Sequence, residues 1–161
     1  MPGLLDGGGT AAGARIVVMG RDHVAALMPY EQEMFGAEAW SRGAYLDEIA
    51  DHRLRHYVAA EAVDGALLGW AGVMVVGETA EILTVGVVPT ARRCGVARAM
   101  LAALCTEAVT RGAREVFLEV RVDNDAALAL YTREGFERIG VRHGYYEGGR
   151  VDAVTMRRQL T

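Results

Sequence analysis

Between Glu78 and Val122 the spacing of the apolar residues changes from strand-like to helical and back again. Glu78 to Val88 is β-rich and ends at Pro89. Val96, Met100, Leu101, Leu104, Cys105 and Ala108 then recur at helical spacing up to a stop at Gly112, and Glu115 to Val122 is β-rich again. A strand, a crossover helix and a second strand require a sheet with at least one parallel pair. The pattern repeats downstream, with a helix over Asp125–Glu134 stopped by Gly135 and a last pair of strands at Phe136–Val141 and Val151–Leu160. Upstream, Arg15–Met19 reads as a strand, and Asp22 as the cap of a helix carrying Val24, Leu27, Met28 and Met34. After a break at Gly36, Ser41 caps a short helix with Tyr45, Leu46 and Ile49 on one face. Strands His56–Val63 and Leu67–Val76 flank Asp64-Gly65, a type I′ hairpin signal. The order β-α-α-β-β-β-α-β-α-β-β predicts an α/β fold: a mixed sheet of about seven strands with helices on both faces.

At 161 residues the chain suits one domain. That domain is expected over 15–161, behind a flexible leader at 1–14 that is dominated by Gly, Ala and Thr. A formal net charge of −4 argues against a general binder of nucleic acid or membrane surfaces. No apolar run reaches the length of a membrane span and no signal-peptide layout opens the chain, so a cytoplasmic protein is expected. Cys94 and Cys105 have neither CxxC spacing nor a nearby His, so no disulfide framework and no metal site is expected. All 17 basic residues are Arg; without Lys there is neither Schiff-base chemistry nor a Walker A loop.

The stretch Val85 to Met100, VGVVPTARRCGVARAM, ends a strand, crosses a polar loop and opens a helix at Gly95. Free N–H groups and the positive end of the helix dipole gather there, and Gly95 with small Ala97 lets an anion approach the backbone. Arg92, Arg93 and Arg98 add charge. The same residues also describe an ordinary helix start ringed by solvated arginines. Elsewhere, Glu119 stands between Leu118 and Val120 in a strand whose alternation puts Phe117, Glu119 and Arg121 on one face. A carboxylate placed there needs a partner, for which Arg121 is one choice, or a task. Phe35 and Trp40 sit in an aromatic-bearing loop that either packs plainly or faces a substrate.

Arg92-Arg93-Cys94-Gly95-Val96-Ala97 matches (Q/R)xxGx(G/A), and Asn124, Ala127, Leu130, Tyr131, Gly135 and Phe136 fit NxxAxxLYxxxGF. With these two motifs at this separation, residues 15–160 resemble the GCN5-related N-acetyltransferases, the GNAT family. The departure is Ala97, where many relatives carry Gly. The resemblance implies acetyl-CoA as cosubstrate, with no metal, and its pyrophosphate on the turn Arg92–Arg98, including Cys94 and Val96. Its pantetheine arm would lie between two splayed parallel strands, Glu81–Val88 and Glu115–Val122. It further implies Tyr131 as the acid that protonates the leaving sulfur and Glu119 as the base, with Glu81 as understudy. Asn124 would cap its helix and touch the pantetheine. A backbone N–H near Val85 to Val87 would polarise the thioester, with Gly86 allowing a bulge that frees ladder donors.

Within the family the chain resembles the RimI-type branch, which acetylates the N-terminal alanine of a small-subunit ribosomal protein. Tyr145-Tyr146, between the last two β runs, would bind the substrate's backbone, with Phe35, Trp40 and Glu119 beside it and Asp152 either shaping the slot or an ordinary surface charge. An α-amine, with pKa about 7.7–8.0, is easier to deprotonate than a lysine near about 10.4, a difference of about 3.5 kcal/mol, so one carboxylate suffices. The expected partner is therefore a protein N-terminus, met directly in a ternary complex by a monomer or weak dimer. Alternatives are a lysine acetyltransferase, a small-molecule amine acetyltransferase of a polyamine or an aminoglycoside drawing on Glu31, Glu33, Glu38 and Glu78, and a non-catalytic acyl-CoA sensor.

Overall fold

The computed structural model describes residues 14–160; the expected leader, apart from Ala14, which is buried, lies outside the described residues. The elements are β1 (Arg15–Val18), α1 (Arg21–Phe35), α2 (Arg42–Ala50), β2 (Arg55–Glu61), β3 (Leu67–Val76), β4 (Thr79–Val87), α3 (Val96–Thr110), β5 (Glu115–Arg121), α4 (Asp125–Arg133), β6 (Glu137–Tyr146) and β7 (Val151–Gln159). One seven-stranded mixed sheet runs β1-β2-β3-β4-β5-β7-β6. Every pairing is antiparallel except β4 with β5. Among the described residues, no helix is long and apolar enough to cross a membrane.

Glycine stops both crossover helices by one device. At the end of α3 the Ala113 N–H reaches the Ala108 carbonyl and Gly112 reaches Val109; at the end of α4 Phe136 reaches Tyr131 and Gly135 reaches Thr132. These are Schellman caps, and they require the left-handed φ of +97° at Gly112 and +91° at Gly135. The second cap swings Phe136 back onto the Tyr131 ring, centroids 5.8 Å apart and tilted edge to face. The spacing of Tyr131, Gly135 and Phe136 is thus one packing unit. Ser41 caps α2 as expected, its Oγ accepting from the Ala44 N–H at 3.0 Å.

Three local expectations change. The cap of α1 is Gly20, with Asp22 inside the first turn; the Gly20 N–H donates to His23 Nδ1 at 2.9 Å. The β2–β3 connection is a turn over Ala62–Gly65 in which only Gly65 has positive φ, so it is not type I′, which needs two such residues. The bulge in β4 falls at Leu83, where the register passes from Ile82 opposite Val73 to Thr84 opposite Gly72. Gly86 lies in regular pairing with Trp70 instead.

Helices cover both faces. Gly69 presents its backbone to Met100 and Val96 of α3, while the next residue, Trp70, points the opposite way and donates from Nε1 to the Tyr45 hydroxyl of α2 at 3.1 Å. Trp70, Tyr45, Leu27, Met100, Leu104 and Met156 are among the largest fully buried side chains. A Cβ on Gly86 would collide with the Trp70 indole, which is buried and held by its hydrogen bond. Gly86→Ala should therefore destabilise the protein by about 2 kcal/mol and lower Tm by about 5 °C. Thermal unfolding of the variant tests this; an unchanged Tm would mean the indole has room to shift.

Candidate active site

The sheet opens where its two parallel strands part. β4 and β5 pair only at Thr79–Glu115, Ala80–Val116 and Glu81–Phe117. Beyond those three rungs Ile82–Val87 and Leu118–Arg121 face one another unpaired, and the Leu83 bulge adds bend and twist to β4 at the point of divergence. The expected splay is present. In a strand, alternate residues direct N–H and C=O to one side, so the upper half of β4, including Val85–Val87, carries ladder groups toward the gap.

The turn after β4 lies at the mouth of this gap. A short 3-10 turn over Pro89–Ala91 leads to Arg92 in extended conformation, then to Arg93 at φ +62° and Gly95 at φ +78°. Gly95 caps α3 with no side chain accepting from its first turn. Among the described residues, the backbone N–H groups of Arg93 to Arg98 donate to no backbone or side-chain acceptor. Left-handed residues interleaved this way aim successive N–H groups into one concavity, the nest geometry that holds anions. A non-glycine residue at positive φ, as at Arg93, costs free energy, and such strain clusters at ligand sites. The arginines do not act alike. Arg98 turns aside to Glu134, with Nε 3.2 Å from Oε1, and ties the start of α3 to the end of α4. Cys94 is exposed, its thiol directed at the Arg92 carbonyl, whereas Cys105 is buried.

Across the gap stand Glu119 and Tyr131. Burial in β5 alternates, leaving Phe117, Glu119 and Arg121 on the partly open face. Arg121 does not pair with Glu119. Its guanidinium bridges Asp123 and Glu147, both at 3.0 Å, and covers the Tyr146 ring at 5.6 Å. Glu119 instead accepts from Thr155 Oγ1 at 2.7 Å, and its other oxygen lies 3.4 Å from Arg142 Nη1. Glu81, opposite Phe117 on the last rung, is on the same face. Tyr131, on α4, is 8 % exposed, and burial together with the Tyr146 hydroxyl pushes its phenol up to about 12. It stays protonated across the neutral range. Asn124 caps α4, its Oδ1 accepting from the Ala127 N–H at 3.1 Å.

The outer wall comes from two distant segments. Tyr145 and Tyr146 do not sit in a loop; they end β6, with centroids 4.8 Å apart at 88°, and the chain reverses over Glu147–Gly149. Arg142 stacks on Tyr145 at 4.7 Å. Asp152 ties this hairpin, accepting from the Gly144 N–H at 2.8 Å with His143 beside it; both contacts hold its carboxyl below the usual range. Facing the hairpin is the segment with Phe35 and Trp40. The Glu147 N–H donates to Glu38 Oε1 at 2.8 Å, so the two segments touch. Glu31 braces the second segment from inside. It is 2 % exposed and accepts from the Trp40 N–H at 3.0 Å and from the Tyr45 hydroxyl at 2.5 Å. Trp40 also packs on the Tyr45 ring at 5.1 Å. Sequence reasoning did not single out Thr155, Arg142, Glu147 or the bracing role of Glu31. Only alternation in the last strand, which puts Thr155 and Arg157 on one face, carries a signal for any of them.

The model of the acetyltransferase (GNAT) family matches residues 24–136. The chain belongs to that family. This GNAT protein is 43% identical over 133 residues to the N-alpha-acetyltransferase RimI of Mycobacterium tuberculosis, covering 80% of this chain and 81% of that protein. It is 38% identical over 119 residues to the ribosomal protein bS18-alanine N-acetyltransferase of Escherichia coli K12, 73% of this chain and 78% of that one. The crystal structure of the ribosomal-protein-S18-alanine N-acetyltransferase from Escherichia coli superposes with a TM-score of 0.81 at 28% identity, covering 92% and 94% of the two chains. This GNAT chain is accordingly an acetyl-CoA-dependent N-acyltransferase of mixed α/β fold.

The site suits an acyl-CoA on its own terms. The nest at Arg93–Arg98 fits a pyrophosphate, and the gap offers a strand-like amide arm the unpaired backbone of β4 and β5. Gly95→Asp forces a side chain into the left-handed region and puts negative charge into the nest. It should weaken acetyl-CoA binding by at least about tenfold, read by calorimetry, while leaving the far-ultraviolet spectrum intact. Unaltered affinity would move the phosphate site elsewhere.

Proposed function

We propose that this chain acetylates the α-amine of a protein, namely the N-terminal alanine of a bS18-type ribosomal protein. The observation that carries this reading is the form of the acceptor side. A slot is bounded by Tyr145–Tyr146 and by the Gly36–Trp40 segment, the two joined through Glu38 and Glu147, and Glu119 lies on its floor. Such a slot suits an extended peptide end whose backbone can meet the tyrosine hydroxyls. Acids named for a polyamine or aminoglycoside site are engaged elsewhere or already bonded. Glu31 is buried in its brace, Glu38 bonds the hairpin backbone, and Glu78 lies beside Arg114 near the opposite end of β4 and β5. The two RimI-type relatives support the same substrate class.

Acetyl-CoA supplies, when bound, a thioester carbonyl and a thiolate leaving group. The residues of this chain would do the rest. Arg92, Arg93, Cys94, Val96 and Ala97 offer backbone and charge to the pyrophosphate, and Asn124 lies at the start of α4 beside the arm. A backbone N–H of Val85 or Val87 faces the carbonyl. Glu119 accepts a proton from the substrate's ammonium through a water, and the neutral nitrogen forms its bond to the acetyl carbon. The carbon–sulfur bond breaks as Tyr131 gives its phenolic proton to sulfur, and the proton that the nitrogen sheds on becoming an amide returns to the phenolate through solvent. An α-amine makes this feasible with one carboxylate, because its deprotonation is easier than a lysine's by about 3.5 kcal/mol.

A panel of peptides beginning with Ala, Ser or Met, an N-blocked lysine peptide and spermidine should give turnover first with the Ala peptide. Preference for spermidine would overturn the substrate class and leave the family untouched. Tyr131→Phe should lower kcat by at least about a hundredfold with acetyl-CoA affinity unchanged, and an equal kcat would remove the phenol from the reaction. Because burial raises that phenol to about 12, its proton is still in place at pH 9. The kcat profile should show no loss attributable to Tyr131 between pH 7 and 10; a descending limb near pH 8 that vanishes in Tyr131→Phe would contradict this.

A further inference from the structure

Three strands carry a row of directly opposed residues across the floor of the slot: Glu119 of β5, Thr155 of β7 and Gly140 of β6. The row above is Arg121, Ala153 and Arg142, and the row below is Phe117, Arg157 and Glu137. In the central row the Thr155 hydroxyl donates to Glu119 Oε2 at 2.7 Å, a short charge-assisted bond between partly buried side chains. A β-branched side chain has few rotamers, so Thr155 offers its hydroxyl from a stiff support. The second carboxylate oxygen is held differently. Arg142 reaches it only diagonally, at 3.4 Å, from a side chain 59% exposed that also rests on Tyr145. That contact is long, solvated and easily exchanged. Beyond Thr155, a Cβ at Gly140 would meet nothing within 4 Å, so no side chain of β6 closes the row from the edge.

From this asymmetry we infer that Thr155 is the positioning residue for Glu119: it fixes one carboxylate oxygen and thereby aims the other, which exchanges Arg142 for the incoming amine. The inference rests on Glu119 being the base. Free rotation of the carboxylate would spread its lone pairs over orientations of which few face the amine, and a fixed donor on one oxygen removes that freedom before substrate arrives.

Thr155→Val keeps the shape and removes the hydroxyl; Thr155→Ser restores the donor on a looser support. Assayed with acetyl-CoA and an Ala-first peptide, Thr155→Val should lower kcat by about ten- to a hundredfold, with KM for acetyl-CoA unchanged, and Thr155→Ser should recover most of the loss. In a Glu119→Gln background the same Thr155→Val change should cost less than about twofold, because a residue acting through Glu119 has nothing left to orient. Losses that multiply across the two backgrounds, or a fully active Thr155→Val enzyme, would overturn the positioning role. A Glu119→Gln enzyme with wild-type kcat would overturn the base itself, and the inference with it. Melting temperatures within a few degrees of the parent separate these outcomes from misfolding. Should Thr155→Val not fold, the Thr155→Ser and Thr155→Ala pair gives the same comparison.

Discussion

Everything functional in this molecule hangs on three rungs of parallel pairing between β4 and β5. Those rungs keep the two halves of the sheet in one body, and their ending after Glu81 and Phe117 opens the gap into which the chemistry is gathered. A parallel ladder broken half-way leaves backbone donors and acceptors unpaired near the middle of a protein, a cost that a fold tolerates only where something else will pair with them. The helices follow from the same geometry. α3 and α4 begin beyond the ends of β4 and β5, so a nest of N–H groups and a capped start with Asn124 both lie at the mouth. Tyr131 on α4 and the turn before α3 therefore both belong to segments that follow the parting strands.

The acceptor side depends on a different kind of interaction, a buried polar chain. Trp70 donates to Tyr45, Tyr45 donates to Glu31, and Glu31 also accepts the Trp40 N–H. A carboxylate at 2% exposure is costly unless its oxygens are satisfied, and here each has a partner. The requirement works in both directions. It fixes Glu31, and it fixes the backbone of the loop that forms one wall of the slot. Gly86 belongs to this arrangement because only a residue without Cβ leaves space for the indole that starts the chain. Packing against the sheet is in this way continuous with the loop that bounds the slot.

Much of this was legible in the linear sequence. Element order, the stops at Gly112 and Gly135, the Ser41 and Asn124 caps and the helix start at Gly95 all depend on residues within a few positions of one another. Local chemistry of that kind is decided by φ preferences and side-chain reach. What misled was also local: Asp64-Gly65 resembles a tight turn, but the strands end earlier and a longer connection forms. Gly86 resembles a bulge, yet its small size serves Trp70 sixteen residues away. β6 runs past the expected end at Val141 to Tyr146, because an exposed edge strand needs no apolar alternation over Arg142 to Tyr146.

By itself, then, the sequence determined which segments are strands and helices, where the helices stop, and that a helix opens on a glycine at Gly95. These follow from backbone freedom and periodicity, properties of neighbours in the chain. Tertiary structure alone decided the partners. Glu119 finds Thr155 thirty-six residues away, Glu147 finds Glu38 at a separation of 109, and Arg121 turns from the adjacent carboxylate to Asp123 and Glu147. The reason is that a side chain's hydrogen-bond partner is set by which elements lie next to one another and, for strands, in what register; one step of register between β5 and β7 would turn Glu119 and Thr155 to opposite faces of the sheet.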